Sequence, residues 1–133
     1  MIIKEVEYAI KVMAELHREN PLSAAELSKR RSIPSPFIYR VLKKLEAKDI
    51  LEIKRGPGGG YRLKQDCNEL TLYDLICAFE NTFLVIECMK TDYDCSQNDG
   101  LDCCMHREFG RLQSLLQQEF RRHSLAELLD DSR

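Results

Sequence analysis

The chain has 133 residues, of which 44% are hydrophobic and 32% are charged. This composition is typical of one soluble globular domain, or of a small domain with an interaction arm. No apolar run approaches the ~18 residues that a membrane-spanning helix needs, and the N-terminus lacks the basic head and apolar stretch of a signal peptide. We therefore expect a cytoplasmic protein that does not enter a membrane and whose thiols stay reduced.

The net charge of −2 conceals two halves of opposite sign. Residues 1–64 contain fourteen Lys and Arg against eight Asp and Glu, whereas residues 65–133 contain six against fourteen. A first half with a net charge of +6 favours a polyanionic partner, and a second half with a net charge of −8 indicates a separate task.

Two predicted helices open the basic half. Apolar residues recur at helical spacing over residues 3–19, which predicts an amphipathic helix. Ser23, with Glu26 three residues later, forms a capping box for a short second helix that runs to Lys29.

A third predicted helix, over residues 36–48, has two distinct faces. Ser35 suits its N-cap and Pro36 its first helical position. One face is apolar and predicts contact with the core, whereas the other is polar, basic and aromatic. The residues of this second face are Pro36, Tyr39, Arg40, Lys43 and Lys44. Such a face on the second of two short helices predicts a helix-turn-helix, with Tyr39, Arg40 and Lys43 in the major groove and Lys43 and Lys44 on phosphates. Ser35 and Pro36, at the start of this helix, are also predicted to contact DNA.

A β-hairpin is predicted directly after the third helix. Residues 51–55 and 61–63 are strand candidates, and a run of glycines with one proline joins them. A hairpin in this place is a wing, in which Gly58 and Gly59 let the backbone approach phosphates while Arg55 enters the minor groove. A merely flexible turn is the less favoured interpretation, and the run is not a P-loop because its Gly-Lys-Ser/Thr ending is missing.

Three further helices are predicted in the acidic half. Apolar stripes predict helices over residues 72–82 and 104–122, and Leu125–Leu129 is expected to form a short closing helix. Cys77 lies in the first stripe and is interpreted as a small buried hydrophobic residue. The second stripe predicts a dimer interface. Its residues are Phe109, Leu112, Leu115, Leu116 and Phe120.

Four of the six cysteines lie between Cys88 and His106, among residues that favour turns. The wide spacing of Cys88, Cys95 and Cys103 suits an iron–sulfur cluster better than a structural zinc site, which usually has Cys-x2–4-Cys pairs. A zinc site, or a thiol switch without a cofactor, stays open. His106 is favoured as the fourth ligand because it follows Cys103 by three residues at a predicted helix start. Cys104 is interpreted as a bystander.

Together these elements predict a mainly helical α+β fold, namely a winged helix-turn-helix with a small hairpin wing and a long C-terminal dimerisation helix. Residues 1–82 are expected to form the DNA-binding domain, residues 83–106 the cysteine-rich sensor loop, and residues 107–133 the dimerisation helix with the short closing helix. No Ser/His/Asp grouping and no nucleotide-binding loop is present. We therefore expect no enzymatic activity.

Several segments of the chain match one known family. They are Tyr8-Ala9, the wing from Arg55 to Leu63, Leu72 to Glu80, the three spaced cysteines with Cys103-x-x-His106, and Ser124 to Leu128. On these segments the sequence resembles the Rrf-type family of bacterial winged-helix regulators, which includes IscR, NsrR, RirA and CymR. The resemblance implies a homodimeric transcription regulator that binds double-stranded operator DNA.

Many members of this family bind an iron–sulfur cluster in the cysteine loop, whereas others, CymR among them, bind none. The resemblance implies a sensor of iron, redox state or nitric oxide, with Cys88, Cys95 and Cys103 as ligands and [2Fe–2S] favoured over [4Fe–4S]. Certain members use an acidic residue of the other subunit at the place of Glu7, which is therefore the alternative to His106. The alternative function is a cluster-free DNA-binding regulator controlled by a partner protein or by thiol oxidation.

Overall fold

The computed structural model describes residues 4–80 and 104–130. In chain order its elements are α1 (Lys4–Arg18), α2 (Ala24–Arg31), α3 (Ser35–Ala47), β1 (Leu51–Lys54), β2 (Gly60–Leu63), α4 (Leu72–Phe79), α5 (Cys104–Phe120) and α6 (Leu125–Asp130). The fold class predicted from the sequence, mainly helical with a small hairpin wing, is confirmed. None of the helices in residues 4–80 and 104–130 combines the length and the apolar composition that a membrane span requires.

The core lies between α1, α3 and the elements that cover them. Leu16 of α1 and Leu42 and Leu45 of α3 are fully buried, as the apolar positions of two amphipathic helices should be. α1 also packs against α4. The apolar side of α3 is thus fixed against α1, so its opposite side faces outward.

The turn between α2 and α3 is short and locally well bonded. α2 begins with the predicted capping box, in which Ser23 accepts from the Glu26 amide, but it continues two residues beyond Lys29. It ends where Ser32 adopts a left-handed conformation with φ of 52°, and the next residue, Ile33, is buried. A tight turn anchored by a buried residue sets the angle between the two helices.

The predicted cap of α3 is wrong by one residue. Pro34 occupies the N-cap position, and Ser35 and Pro36 are the first two helical residues. The Pro34 carbonyl accepts from the amides of Phe37 and Ile38 at 2.9 and 3.0 Å, so the helix starts without a side-chain cap. The Ser35 hydroxyl therefore has no capping role.

The wing is an antiparallel hairpin that is tied back to the helical part. β1 pairs with β2 from Leu51 opposite Leu63 to Lys54 opposite Gly60. Leu22, just before α2, pairs with Tyr61 through backbone hydrogen bonds of 3.0 and 2.7 Å. Strand β2 is thus hydrogen-bonded to β1 on one side and to Leu22 on the other, which fixes the position of the wing next to α3.

The C-terminal elements return to the N-terminal part of the fold. The Leu125 amide donates to the Leu70 carbonyl at 2.7 Å, and the Ala126 amide donates to the Cys67 carbonyl at 3.0 Å. Leu125 and Ala126 are both buried in the same core as α1 and α3. The division of the chain at residues 82 and 106 stays a prediction, but the closing helix α6 packs on the part predicted as the DNA-binding domain.

Candidate functional site

The outward side of α3 carries five of the six residues of this helix that were predicted to bind DNA. Ser35, Pro36, Tyr39, Arg40 and Lys43 are all exposed, and we call these five residues the reading face. Tyr39 is the most open of the large hydrophobic side chains in the described ranges, at 59% exposure. An exposed aromatic and basic stripe on the second helix of a helix-turn-helix is suited to reading base edges.

A groove separates the reading face from the wing. It has a volume of about 490 Å³ and is lined by Tyr39, Lys43, Glu46, Ala47 and Tyr61. Burial raises the pKa of the Tyr61 hydroxyl, and the nearby Glu46 carboxylate raises it further. Tyr61 therefore stays a neutral hydrogen-bond donor at neutral pH. Glu46 was not singled out from the sequence, although its place three residues after Lys43 puts it on the same side of α3.

The opposite flank of the reading face touches α1. Glu5 of α1 accepts hydrogen bonds from Lys44 at 2.7 Å and from Arg40 at 3.4 Å. The hydrogen bond from Lys44 is the main reason that the pKa of the Glu5 carboxyl lies below its ordinary value. Lys44, predicted to hold phosphate, is thus already paired within the protein. Sequence reasoning missed Glu5, because 35 and 39 residues separate it from its partners.

Aromatic rings support the same flank. The Phe37 ring lies 5.7 Å from the Tyr8 ring and 5.4 Å from the guanidinium carbon of Arg40. The amine of Lys44 lies 5.5 Å from the Phe79 ring. Cations at these distances interact favourably with ring faces. Arg40 and Lys44 are therefore each held between the Glu5 carboxylate and an aromatic ring.

The wing tip presents Arg55 to solvent. Gly58 adopts φ of 73°, in the region that favours glycine, and a Cβ on Gly59 would overlap the carbonyl oxygen of Lys54. Glycine at these two positions is therefore required by the hairpin itself. Their contact with DNA stays a prediction, as does that of Arg55.

The predicted cluster ligands Cys88, Cys95 and Cys103 lie outside the described residues. His106 is exposed in the first turn of α5, and its role as a ligand stays a prediction. Glu7, its rival, is also exposed and pairs with Lys4 at 3.0 Å. Over residues 4–80 and 104–130, no three His, Cys, Asp or Glu side chains converge as a metal site would require.

The three remaining cysteines have different surroundings. Cys67 is buried, and burial raises the pKa of its thiol to about 11, so it stays protonated and unreactive. Cys77 was expected to be buried but is only partly so, because it sits at the edge of a small cluster around Val6 and Ile76. Cys104 is exposed at the start of α5.

The apolar stripe of α5 divides into two parts. Leu116 and Phe120 pack against Val6 and Ile76 of the same chain. Leu115 and Met105, by contrast, are 45% and 56% exposed, and Leu112 is partly exposed. The sequence predicted a single stripe facing a second subunit. Leu112 and Leu115 of that stripe are available for such a contact, as is Met105, which the predicted stripe did not include, and Phe109 is partly exposed. We call Met105, Leu112 and Leu115 the open face of α5.

Comparisons with known proteins agree on one family of transcriptional regulators. The family model described as Rrf2, iron-dependent transcriptional regulator, matches residues 2–131. The HTH-type transcriptional regulator IscR of Vibrio campbellii is 29% identical over 128 residues, which cover 94% of this chain and 74% of that protein.

Solved structures share the fold. The global cysteine regulator CymR of B. subtilis superposes with a TM-score of 0.80 at 16% identity, covering 100% of this chain and 98% of that one. IscR of T. potens superposes with a TM-score of 0.73 at 17% identity, covering 100% and 88%. At these identities the likeness shows the fold alone. The family match confirms the expected regulator and the expected lack of enzymatic activity. This chain belongs to the Rrf2 family of transcriptional regulators, which bind DNA through a winged helix-turn-helix.

Proposed function

We propose that the protein binds operator DNA as a homodimer, with α3 in the major groove and the wing at the adjacent minor groove. The observation that carries this proposal is the exposed reading face, which lies beside a wing whose base is tied to Leu22. A regulator of this kind acts on the chromosome, so we infer that it works in the cytoplasm.

The residues of the interface have distinct proposed roles. Arg40 is suited to bidentate contact with guanine, and Tyr39 contacts bases or thymine methyl groups beside it. Lys43, Ser35 and Pro36 lie along the same face, where Lys43 and the Ser35 hydroxyl can meet phosphates. Arg55 and the backbone of Gly58 and Gly59 are proposed to meet the minor groove. These three residues lie on the hairpin rather than on α3.

Replacing Arg40 tests this assignment. A preferred duplex is first selected from a random-sequence DNA library with the wild-type protein, and a scrambled duplex of the same composition serves as reference. We define the affinity ratio as the affinity for the selected duplex divided by the affinity for the scrambled duplex. Arg40→Ala should lower this ratio by about 10-fold or more, because a good Arg–guanine pair contributes roughly 1–3 kcal/mol of discrimination. An unchanged ratio would exclude Arg40 from base reading.

The open face of α5 supports the homodimer. α5 has 17 residues, yet the only one it buries within its own chain is Gln113. Six apolar side chains from two open faces, at ~1.5–3 kcal/mol each when fully buried, contribute up to roughly 9–18 kcal/mol. This is similar to the association cost of about 4–15 kcal/mol, so further surface from each subunit is needed for a tight dimer.

Two leucines on the open face allow a direct test. The protein with Leu112→Asp and Leu115→Asp should sediment as a monomer, whereas wild type should sediment as a dimer. Leu128→Asp is the matched control, since Leu128 is 41% exposed on α6, outside the proposed interface. A dimer that persists in the α5 variant would place the interface elsewhere.

We further propose that Cys88, Cys95 and Cys103 hold an iron–sulfur cluster, [2Fe–2S] rather than [4Fe–4S], through which the regulator senses iron, redox state or nitric oxide. The family description as iron-dependent supports an iron-containing sensor. When bound, such a cluster supplies a group whose charge and stability change on oxidation. Protein purified without oxygen should contain iron and sulfide and absorb visible light.

The fourth ligand is proposed to be His106, with Glu7 as the alternative. His106 is exposed at the N-terminus of α5, where backbone amides favour nearby negative charge. His106→Ala should change the visible spectrum and lower the reduction potential, and Glu7→Ala should change neither. The reverse result would make Glu7 the ligand. Cys104→Ser is the control for a neighbouring thiol and should leave the spectrum intact.

A second candidate function is a cluster-free regulator controlled by a partner protein or by thiol oxidation. The exposed thiol of Cys104 favours it, because reactive cysteines are accessible to oxidants. Iron and sulfide contents near zero in anaerobically purified protein, together with DNA affinity that falls on oxidation, would favour this second function over the first.

A further inference from the structure

We propose that Glu5 is a positioning residue for DNA recognition, which orients Arg40 toward the bases and keeps Lys44 from binding phosphate. This inference rests on the proposed base-reading role of Arg40. It adds to the interface a residue that lies on α1, outside both the helix-turn-helix and the wing.

The place of Glu5 is unusual for a surface carboxylate. Its side chain is only 15% exposed and lies in the first turn of α1, against the flank of α3. Its two oxygens have separate partners, since Oε2 accepts from Lys44 Nζ at 2.7 Å and Oε1 accepts from Arg40 at 3.4 Å. One carboxylate thus fixes two cations that are one helical turn apart on α3.

Glu5 restrains the Arg40 side chain without occupying all of its hydrogen-bond donors. This arginine side chain is 55% exposed and touches Glu5 with one terminal nitrogen, while its guanidinium carbon lies 5.4 Å from the Phe37 ring. Within residues 4–80 and 104–130 it has no other hydrogen-bond partner, so its remaining N–H groups are free for a base. A long side chain that is ordered before binding loses less conformational entropy in the complex.

Lys44 is in the opposite situation. Its short contact with Glu5 and its position over the Phe79 ring compensate its charge inside the protein. A lysine with a compensated charge adds little to phosphate binding, which is the part of DNA affinity that does not depend on sequence. Glu5 is therefore expected to raise selectivity by restraining the base-reading cation, and to lower the affinity for DNA of any sequence by keeping Lys44 from phosphate.

The variant Glu5→Gln tests this inference with the selected and scrambled duplexes described above. Affinity for the scrambled duplex should rise and become more dependent on salt, by up to about one unit of slope, because Lys44 is released. Affinity for the selected duplex should not rise in step, so the ratio of affinities should fall about 3- to 10-fold. An unchanged ratio would overturn the inference.

Glu15→Gln is the matched control. Glu15 lies on the same helix, is 14% exposed and also pairs with two cations, but these are Arg30 and Arg31 of α2. This variant makes the same change of charge and burial away from α3. Its affinity ratio should equal that of wild type, and circular dichroism should show that both variants are folded. A fall of the ratio in this control equal to that of Glu5→Gln would also overturn the inference.

A double variant separates the positioning of Arg40 from simple charge repulsion. In the Arg40→Ala background, Glu5→Gln should leave the affinity ratio unchanged, because Arg40 is already gone and the release of Lys44 raises both affinities alike. A further fall in that background would mean that Glu5 does not act through Arg40. If Arg40→Ala alone leaves the ratio intact, the proposed base-reading role itself fails; if only Glu5→Gln has no effect, the positioning inference alone fails.

Discussion

The two ends of α1 carry nearly the same chemical arrangement. At one end Glu5 is 15% exposed and lies between Arg40 and Lys44, and at the other end Glu15 is 14% exposed and lies between Arg30 and Arg31. Each carboxylate joins α1 to another helix through two cations. Burial and distances alone therefore do not distinguish a functional contact from a structural one.

The difference lies in what surrounds each pair of cations. Near Glu15, a second carboxylate, Glu19, accepts from Arg30 at 2.9 Å, so two acidic groups balance two basic ones. Among the residues that the structure describes, Glu5 is the only carboxylate paired with Arg40 or Lys44. The cluster at Glu5 thus keeps one positive charge in excess, on the helix that carries the reading face. Excess charge of this kind can serve an anionic partner, whereas a balanced cluster only stabilises the fold.

The largest expected effect belongs to the core beside Glu15. Leu16 is fully buried there, so Leu16→Ala should lower the free energy of unfolding by about 2–5 kcal/mol. Urea unfolding followed by circular dichroism measures this loss. The folded variant should keep the affinity ratio of wild type. A changed ratio would show that the Glu15 end of α1 also contributes to DNA recognition.

A smaller effect is expected from neutralising either carboxylate. Glu5→Gln and Glu15→Gln should each lower the free energy of unfolding by about 1–2 kcal/mol, because each removes charge-assisted hydrogen bonds from a mostly buried site. Urea unfolding at neutral pH should give similar losses for the two variants. Only Glu5→Gln should alter DNA selectivity. Losses that differ by several kcal/mol would mean that the two clusters are not energetically equivalent.

Acidification gives a further test at Glu5. The hydrogen bond from Lys44 holds the pKa of this carboxyl below its ordinary value of 4.5. The stabilising contribution is therefore complete at pH values above 4.5 and is lost as the pH falls through the lower pKa of the folded protein. The stability difference between wild type and Glu5→Gln should shrink toward zero over that range. A difference that stayed constant down to low pH would contradict this assignment.

The smallest effect is expected two residues along α1, at Glu7. This side chain is 52% exposed and pairs with Lys4, which is 64% exposed. Lys4→Ala should therefore leave the free energy of unfolding nearly unchanged, since exposed ion pairs contribute little. Thermal melts of the variant and wild type should nearly coincide. A clear loss of stability would mean that the exposed Lys4–Glu7 pair stabilises the fold as the mostly buried cluster at Glu5 does.

Much of the fold could be predicted from periodicity and turn chemistry. The apolar spacing of α1 and α3, the capping box at Ser23 and the glycine run of the wing each specify a local structure, and each is present. The cap of α3 was predicted wrongly because serine is a better N-cap than proline in general, whereas here the Pro34 carbonyl starts the helix.

Tertiary contacts could not be predicted in the same way. Nothing in the spacing of α5 distinguishes Leu116, which packs on its own chain, from Leu115, which does not. The contact of Glu5 with Lys44 joins residues 39 positions apart, and a single sequence gives no distance at that separation. The proposed cluster ligands Cys88, Cys95 and Cys103 lie outside the described residues and stay predictions.

The return of the chain from α5 to the N-terminal part has a consequence for the length of the cysteine segment. Ser124 pairs with Thr71, so the stretch of chain between these two residues, which contains the cysteine segment, is a loop whose ends are held together. Polymer theory gives a low entropic cost for lengthening a loop whose ends are already joined, about 0.6 kcal/mol for each doubling. The fold can therefore accept cysteine spacings of different widths, and the spacing from Cys88 to Cys103 is free to be set by what those thiols bind.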